Sequence, residues 1–182
     1  MAKERIITIP NILTAFRLFL IPFFIISMSK KDYSLAMKIL ILGGITDYLD
    51  GVFARKLNQI SKFGIFFDPF VDKILTLSII ITFYINHLVP SWFIFIIFTR
   101  DILVSVGWLE TYLRRKKLIK PLLLGKISNA TQVIIFSYVL FAINFNLPQP
   151  SPFFYILGSS IAIISLVQYF LKKCSNNETK RT

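Results

Sequence analysis

Four aspartates fall within one short stretch, "DYLDGVFARKLNQISKFGIFFDPFVD", as Asp47, Asp50, Asp68 and Asp72, and they are nearly half of the nine acidic residues in the chain. Asp47 and Asp50 are three apart and Asp68 and Asp72 four apart, so on helices each pair shares one face. Long apolar runs flank them. A lone carboxylate at mid-bilayer costs about 2.5 to 3.5 kcal/mol even on lenient insertion scales, and four together repel one another unless cations sit among them. Hard carboxylate oxygens gathered in this way make a divalent, two-metal site. Two other uses of such carboxylates are an interfacial set neutralised by Lys and Arg, and the ion path of a cation transporter.

The residues between the acids are small or cationic. Gly51 and Ala54 keep one face clear of side chains, and Gly64 does the same farther on; Gly permits close approach by a ligand or by another helix. Arg55, five residues beyond Asp50, offers a forked guanidinium to a phosphate. Helix packing is the plainer reading of each small residue taken singly. Pro69 lacks an N–H, so it either opens a helix just after an Asp68 cap or interrupts one and frees the Ile65 carbonyl.

The elements that must hold these residues follow from composition. The chain has 182 residues, 55% hydrophobic and 15% aromatic, with a mean hydropathy of +0.67, well beyond what a water-soluble core of this size needs. Six apolar runs, roughly 11–28, 33–55, 64–87, 92–113, 128–145 and 152–170, approach the 20 or so residues that cross a hydrocarbon core of about 30 Å. Backbone groups in lipid must pair internally, which makes the runs helices. The expected fold is therefore all-α: a polytopic membrane protein of six transmembrane helices. One domain over 1–173 is expected, with a disordered cytoplasmic tail over 174–182.

The net charge of +12 is unevenly placed. Lys3, Arg5, Arg55, Lys56, Lys62, Arg114, Arg115, Lys116, Lys117, Lys120, Lys126, Lys172, Lys173, Lys180 and Arg181 fall on one set of connections and ends, against Lys30 and Lys31 on the other. By the positive-inside rule both termini, and the aspartates near the same helix ends, face the cytoplasm. A basic face of this kind suits anionic lipids and phosphates, and nucleic acid is not the expected partner. Lys3 and Arg5 ahead of an apolar run imitate a secretory signal, but Arg17 interrupts the run and no small-x-small cleavage site follows, so it is expected to be the first span of the mature protein. Cys174 is the only cysteine, which leaves neither a disulfide framework nor a cysteine zinc site.

As an ordered set, Asp47, Asp50, Gly51, Ala54, Arg55, Gly64, Asp68 and Asp72 read D-x2-D-G-x2-A-R-x8-G-x3-D-x3-D. This string resembles the signature of the CDP-alcohol phosphatidyltransferases, and six spans with a basic cytoplasmic side resemble that family as well. The resemblance implies transfer of a phosphatidyl group from CDP-diacylglycerol to an alcohol, with release of CMP. It further implies two Mg²⁺ or Mn²⁺ ions held by Asp47, Asp50, Asp68 and Asp72, with Asp72 also the base that takes the hydroxyl proton. Gly51, Ala54, Arg55 and Gly64 would line the CDP-diacylglycerol site, with Arg55 on the pyrophosphate. A homodimer in the cytoplasmic membrane is the family's common form.

The acceptor must be read outside that signature. The opening "IPNILTAFRLFLIP" resembles the phosphatidylglycerophosphate synthases and the cardiolipin synthases of this fold, and Asn11, Thr14 and Arg17 recur every three residues as a polar stripe facing other helices rather than lipid. Arg100 and Asp101 in "FTRDILVS" are sequence neighbours, which diverge on a helix and so are expected to need separate partners. For Arg100 that partner is expected to be the phosphate of an anionic acceptor. "GKISNATQ", with Gly125, Lys126 and Gln132, is similar to a GK-x-x-T-x-x-Q pattern of phosphatidylglycerophosphate synthases, with Asn129 at the Thr position. Glycerol 3-phosphate is thus the expected acceptor, met by Arg100 and Lys126. Phosphatidylglycerol, giving cardiolipin, is the alternative.

Overall fold

The computed structural model describes residues 8–56, 62–115 and 123–178. Every regular element in them is a helix: α1 (Ile9–Ser29), α2 (Tyr33–Lys56), α3 (Lys62–Ile85), α4 (Ser91–Arg115), α5 (Leu123–Asn144) and α6 (Pro152–Glu178). The helices fall into two compact units, Met1–Asn86 and His87–Thr182.

In the first unit α1 packs against both α2 and α3. Thr8 starts α1 by accepting a hydrogen bond from the Asn11 amide at 3.4 Å, with a proline in the first turn, a combination that satisfies one orphan donor and needs none at the proline. Asp32 serves α2 in the same way, accepting from the Leu35 amide at 3.0 Å. Between them Lys31 takes a positive φ of 58°, the left-handed step that lets the chain reverse. Phe24 and Met28 of α1, Ala36 of α2, and Val71, Ile80 and Phe83 of α3 are fully buried.

The second unit centres on α6, which packs against α4 and α5. Phe93 stacks edge-on against Tyr155 with centroids 5.1 Å apart and tilts against Phe136 at 6.2 Å, geometries that aromatic quadrupoles favour. Gly158 makes the close approach possible. A Cβ added there would lie 2.9 Å from Ile135 Cδ1 and 3.2 Å from Phe93 Cε2. Gly158→Leu is therefore expected to destabilise the protein by about 1 to 3 kcal/mol through overpacking, read as a lower melting temperature in detergent, whereas the same change at Gly44, which has open space around its Cα, should cost little.

Large apolar side chains cover the outside, among them Phe19, Ile85, Phe95, Ile134, Phe153 and Leu171, while Arg17, Arg100, Asp101, Ser128 and Gln132 are buried. That inversion of the water-soluble pattern is what a lipid solvent selects. Among the described residues three helices are long and apolar enough to cross a membrane, over Asn11–Ser29, Leu123–Asn144 and Pro152–Lys172, and the chain is a membrane protein. Each of α2, α3 and α4 carries several charges, among them Asp47 and Asp50, Asp68 and Asp72, and Arg100 and Asp101. These charges lower their hydropathy, so they fall short on composition while matching the spanning helices in length.

One open alternative is resolved and two expectations change in detail. Pro69 lies inside α3 and does not open it; the helix begins at Lys62, and the Ile65 carbonyl loses the donor that position 69 would supply. The fifth helix starts at Leu123, five residues before the expected boundary, so Gly125 and Lys126 are helical. Residues 174–178 continue α6 where a tail was expected, because a polar helix end can prolong its i→i−4 ladder into water. The basic residues Lys3, Arg5, Lys116, Lys117, Lys120, Lys180 and Arg181, and most of the connection between α2 and α3, lie outside the described residues.

Candidate active site

Helical spacing brings the four aspartates together within the first unit. Asp47 and Asp50 stand on one face of α2, and Asp68 and Asp72 on one face of α3, all directed at α1. The guanidinium of Arg17 on α1 meets every one of them. Its Nη2 lies 3.0 Å from Asp47 Oδ1 and donates to Asp50 Oδ2; its Nη1 lies 3.5 Å from Asp68 Oδ1 and donates to Asp72 Oδ1. Thr14, one turn earlier on the same face, donates from Oγ1 to Asp68 Oδ1 at 3.1 Å. Thr14 and Arg17 thus form the inward stripe expected of them, whereas Asn11 sits in the first turn of α1, where its amide is taken by the Thr8 cap.

Burial sorts the acids. The Arg17 side chain is 0% exposed and that of Asp50 7%, while Asp47, Asp68 and Asp72 keep 56%, 41% and 45% of their surface open. The cluster therefore has a closed floor and an open mouth. Asp47, Asp50 and Asp68 each offer a carboxylate oxygen, all within 4.8 Å of one another. Hard, anionic and convergent donors of this kind fit a divalent cation such as Mg²⁺ or Mn²⁺. Asp72 shares Arg17 Nη1 with Asp68.

Gly51, Ala54 and Arg55 continue α2 past Asp50, with side chains outside the described residues; Gly64 lies in the first turn of α3. The eight positions of the signature thus stand on two helices, α2 and α3.

Arg100 and Lys126 belong to the second unit. Arg100 is buried, and Nη1 donates to Asp101 Oδ1 at 2.6 Å and to Asn129 Oδ1 at 2.6 Å, while Nη2 donates to Ser165 Oγ at 3.0 Å and to the Gly125 carbonyl at 3.3 Å. This corrects the expectation that Arg100 and Asp101 cannot pair. Neighbouring Cβ atoms diverge on a helix, but the long arginine stem bends back over its own turn, and burial makes an unpaired charge too costly. Asn129, at the position where the pattern has Thr, is one of the acceptors. Lys126 follows Gly125 in α5 and is exposed. Sequence reasoning missed Ser165, since a lone serine in an apolar run carries no signal, and it missed Arg17 as the cation inside the acidic cluster, although the face of α1 was correctly assigned.

Comparison with known proteins decides the family. Residues 7–170 match the family model described as CDP-alcohol phosphatidyltransferase. The chain belongs to that family. A CDP-diacylglycerol--glycerol-3-phosphate 3-phosphatidyltransferase of Wigglesworthia glossinidia brevipalpis is 31% identical over 175 residues, covering 90% of this chain and 93% of that protein. A probable cardiolipin synthase (CMP-forming) of Drosophila melanogaster is 41% identical over 113 residues, 61% of this chain and 35% of that protein. A putative cardiolipin synthase of Mycobacterium bovis is 37% identical over 106 residues, 58% of this chain and 51% of that protein. The chain spans about a third to a half of the length of those two cardiolipin synthase relatives. Asp47, Asp50, Asp68 and Asp72 all lie within the residues that match this CDP-alcohol phosphatidyltransferase family.

Proposed function

We propose that the protein transfers the phosphatidyl group of CDP-diacylglycerol to glycerol 3-phosphate, giving phosphatidylglycerophosphate and CMP. The observation that carries this is the aspartate cluster on α2 and α3, within a match that extends over nearly the whole length of a glycerol-3-phosphate phosphatidyltransferase. Six membrane crossings with both termini cytoplasmic, a cytoplasm-facing site and a homodimer complete the reading; the helix lengths and the distribution of Lys and Arg support the topology. The cation transporter falls with the family membership.

In the proposed reaction the acceptor hydroxyl oxygen attacks the phosphatidyl phosphorus, the bond from that phosphorus to the bridging oxygen breaks, and CMP leaves with the electron pair. Asp72 takes the hydroxyl proton. Its side chain is 45% exposed at the mouth of the cluster, which leaves it open to an acceptor hydroxyl. Asp47, Asp50 and Asp68, with Asp72 at their edge, would hold two Mg²⁺ or Mn²⁺ ions, which when bound neutralise phosphate charge and stabilise the leaving CMP. Gly51, Ala54, Arg55 and Gly64 line the nucleotide-lipid site, with Arg55 on the pyrophosphate.

Acceptor recognition is assigned to Lys126 and Arg100. Glycerol 3-phosphate carries a dianionic monoester, and Lys126, exposed on α5, has the mobile charge to meet it; Arg100 is fixed by four hydrogen-bond acceptors, one of them the carbonyl of Gly125, the residue before Lys126. Lys126→Gln is expected to raise KM for glycerol 3-phosphate about ten- to hundredfold, the worth of one charge-assisted contact, with KM for CDP-diacylglycerol little changed. Arg100→Gln should raise the same KM and also lower the melting temperature, because it unties α4, α5 and α6. Equal effects of Lys126→Gln on both substrates would remove Lys126 from the acceptor site.

A second reading rests on the 41% and 37% identity to cardiolipin synthases over the shared segment: the same chemistry with phosphatidylglycerol as acceptor. Offering the purified protein each acceptor in turn, with the lipid product identified by mass, separates the two. Phosphatidylglycerophosphate is the expected product, and cardiolipin from phosphatidylglycerol alone would replace the assignment.

A further inference from the structure

The metal-site reading accounts for the four aspartates but not for the arginine in their midst. Arg17 is fully buried, its two terminal nitrogens reach carboxylates on both α2 and α3, and its Nε is buried without a hydrogen-bond partner among the described residues. The oxygens it engages belong to the same Asp47, Asp50 and Asp68 side chains that converge as donors for a divalent ion. One positive charge cannot neutralise four carboxylates, so the cluster keeps a strong demand for further cations while Arg17 occupies part of it.

We propose that Arg17 is a built-in counter-cation of the aspartate cluster, tying the carboxylates of α2 and α3 to α1 until a divalent cation takes them over, and thereby setting the cluster's metal affinity. This rests on the divalent reading of the cluster. Only arginine suits the position: its planar fork reaches acids on two helices at once, whereas the ammonium of lysine is a single point of charge. Thr14 keeps Asp68 in place by a hydrogen bond from its uncharged hydroxyl, so the cluster retains one anchor to α1 when Arg17 gives way. Arg17 is in this account a positioning residue that trades metal affinity for a stable, gathered site.

The test uses the full-length protein purified in detergent and Mn²⁺ as the probe, with free Mn²⁺ followed by electron paramagnetic resonance and unfolding followed thermally. Arg17→Met is expected to bind Mn²⁺ at least about tenfold more tightly than the wild type, since a like charge beside the site is removed. Its metal-free melting temperature should fall, and the rise on adding Mn²⁺ should exceed that of the wild type, as linkage requires of a ligand bound more tightly by the native state. The double variant Arg17→Met with Asp72→Asn, which removes one charge of each sign, should regain most of the metal-free stability. Should Arg17→Met not survive without metal, Arg17→Lys carries the affinity comparison, with binding expected between wild type and Arg17→Met. Unchanged or weaker Mn²⁺ binding in the folded Arg17 variants overturns the proposal. Absence of Mn²⁺ binding in every variant, wild type included, overturns the divalent reading and the proposal with it.

Discussion

Asp68→Asn is expected to lower turnover by at least about 10²- to 10³-fold, the scale on which losing one element of transition-state charge stabilisation is felt, while the protein remains folded and membrane-inserted. Asn has the shape of Asp and can still accept the 3.1 Å hydrogen bond from Thr14, and the side chain is 41% exposed, so no uncompensated charge is left in a closed interior. What Asn cannot supply is an anionic oxygen to the trio it forms with Asp47 and Asp50. Mn²⁺ binding to the variant should therefore weaken along with turnover. Full activity of Asp68→Asn, or of the wild type in excess chelator, would remove the metal from the account.

Asp72→Asn is expected to behave differently. If Asp72 takes the acceptor's proton, kcat should fall by about 10²- to 10⁴-fold, the range for loss of a general base, with KM for CDP-diacylglycerol retained. At least one Mn²⁺ should still bind, because Asp47, Asp50 and Asp68 keep their convergent oxygens. The contrast between the two variants separates ligand from base. Loss of metal together with turnover in Asp72→Asn would make Asp72 mainly a ligand and leave the base unassigned.

The helices and the acidic pairs were readable because two strong periodicities coincide in this chain. Runs of about 20 apolar residues can only be helices in lipid, and acids three or four apart on such helices must share a face. The first span's polar stripe was legible for the same reason. Its exact partner was not, since spacing places Arg17 on a face of α1 but says nothing of which side chains on α2 and α3 meet that face. Arg100 and Asp101 show the limit from the other side. A rule built on Cβ directions excluded their pairing, yet the arginine stem is long enough to fold back on its neighbour. The start of α5 was missed because Gly125 and Lys126 look like loop residues; the hydrogen bond from Arg100 to the Gly125 carbonyl fixes their helical turn against α4.

The most direct test is CMP release from labelled CDP-diacylglycerol by the purified protein, with Mg²⁺ or Mn²⁺ present and glycerol 3-phosphate either added or withheld. The account predicts CMP in step with phosphatidylglycerophosphate, only when acceptor and metal are both present. No CMP release with any alcohol acceptor, by folded protein that binds Mn²⁺, would contradict it.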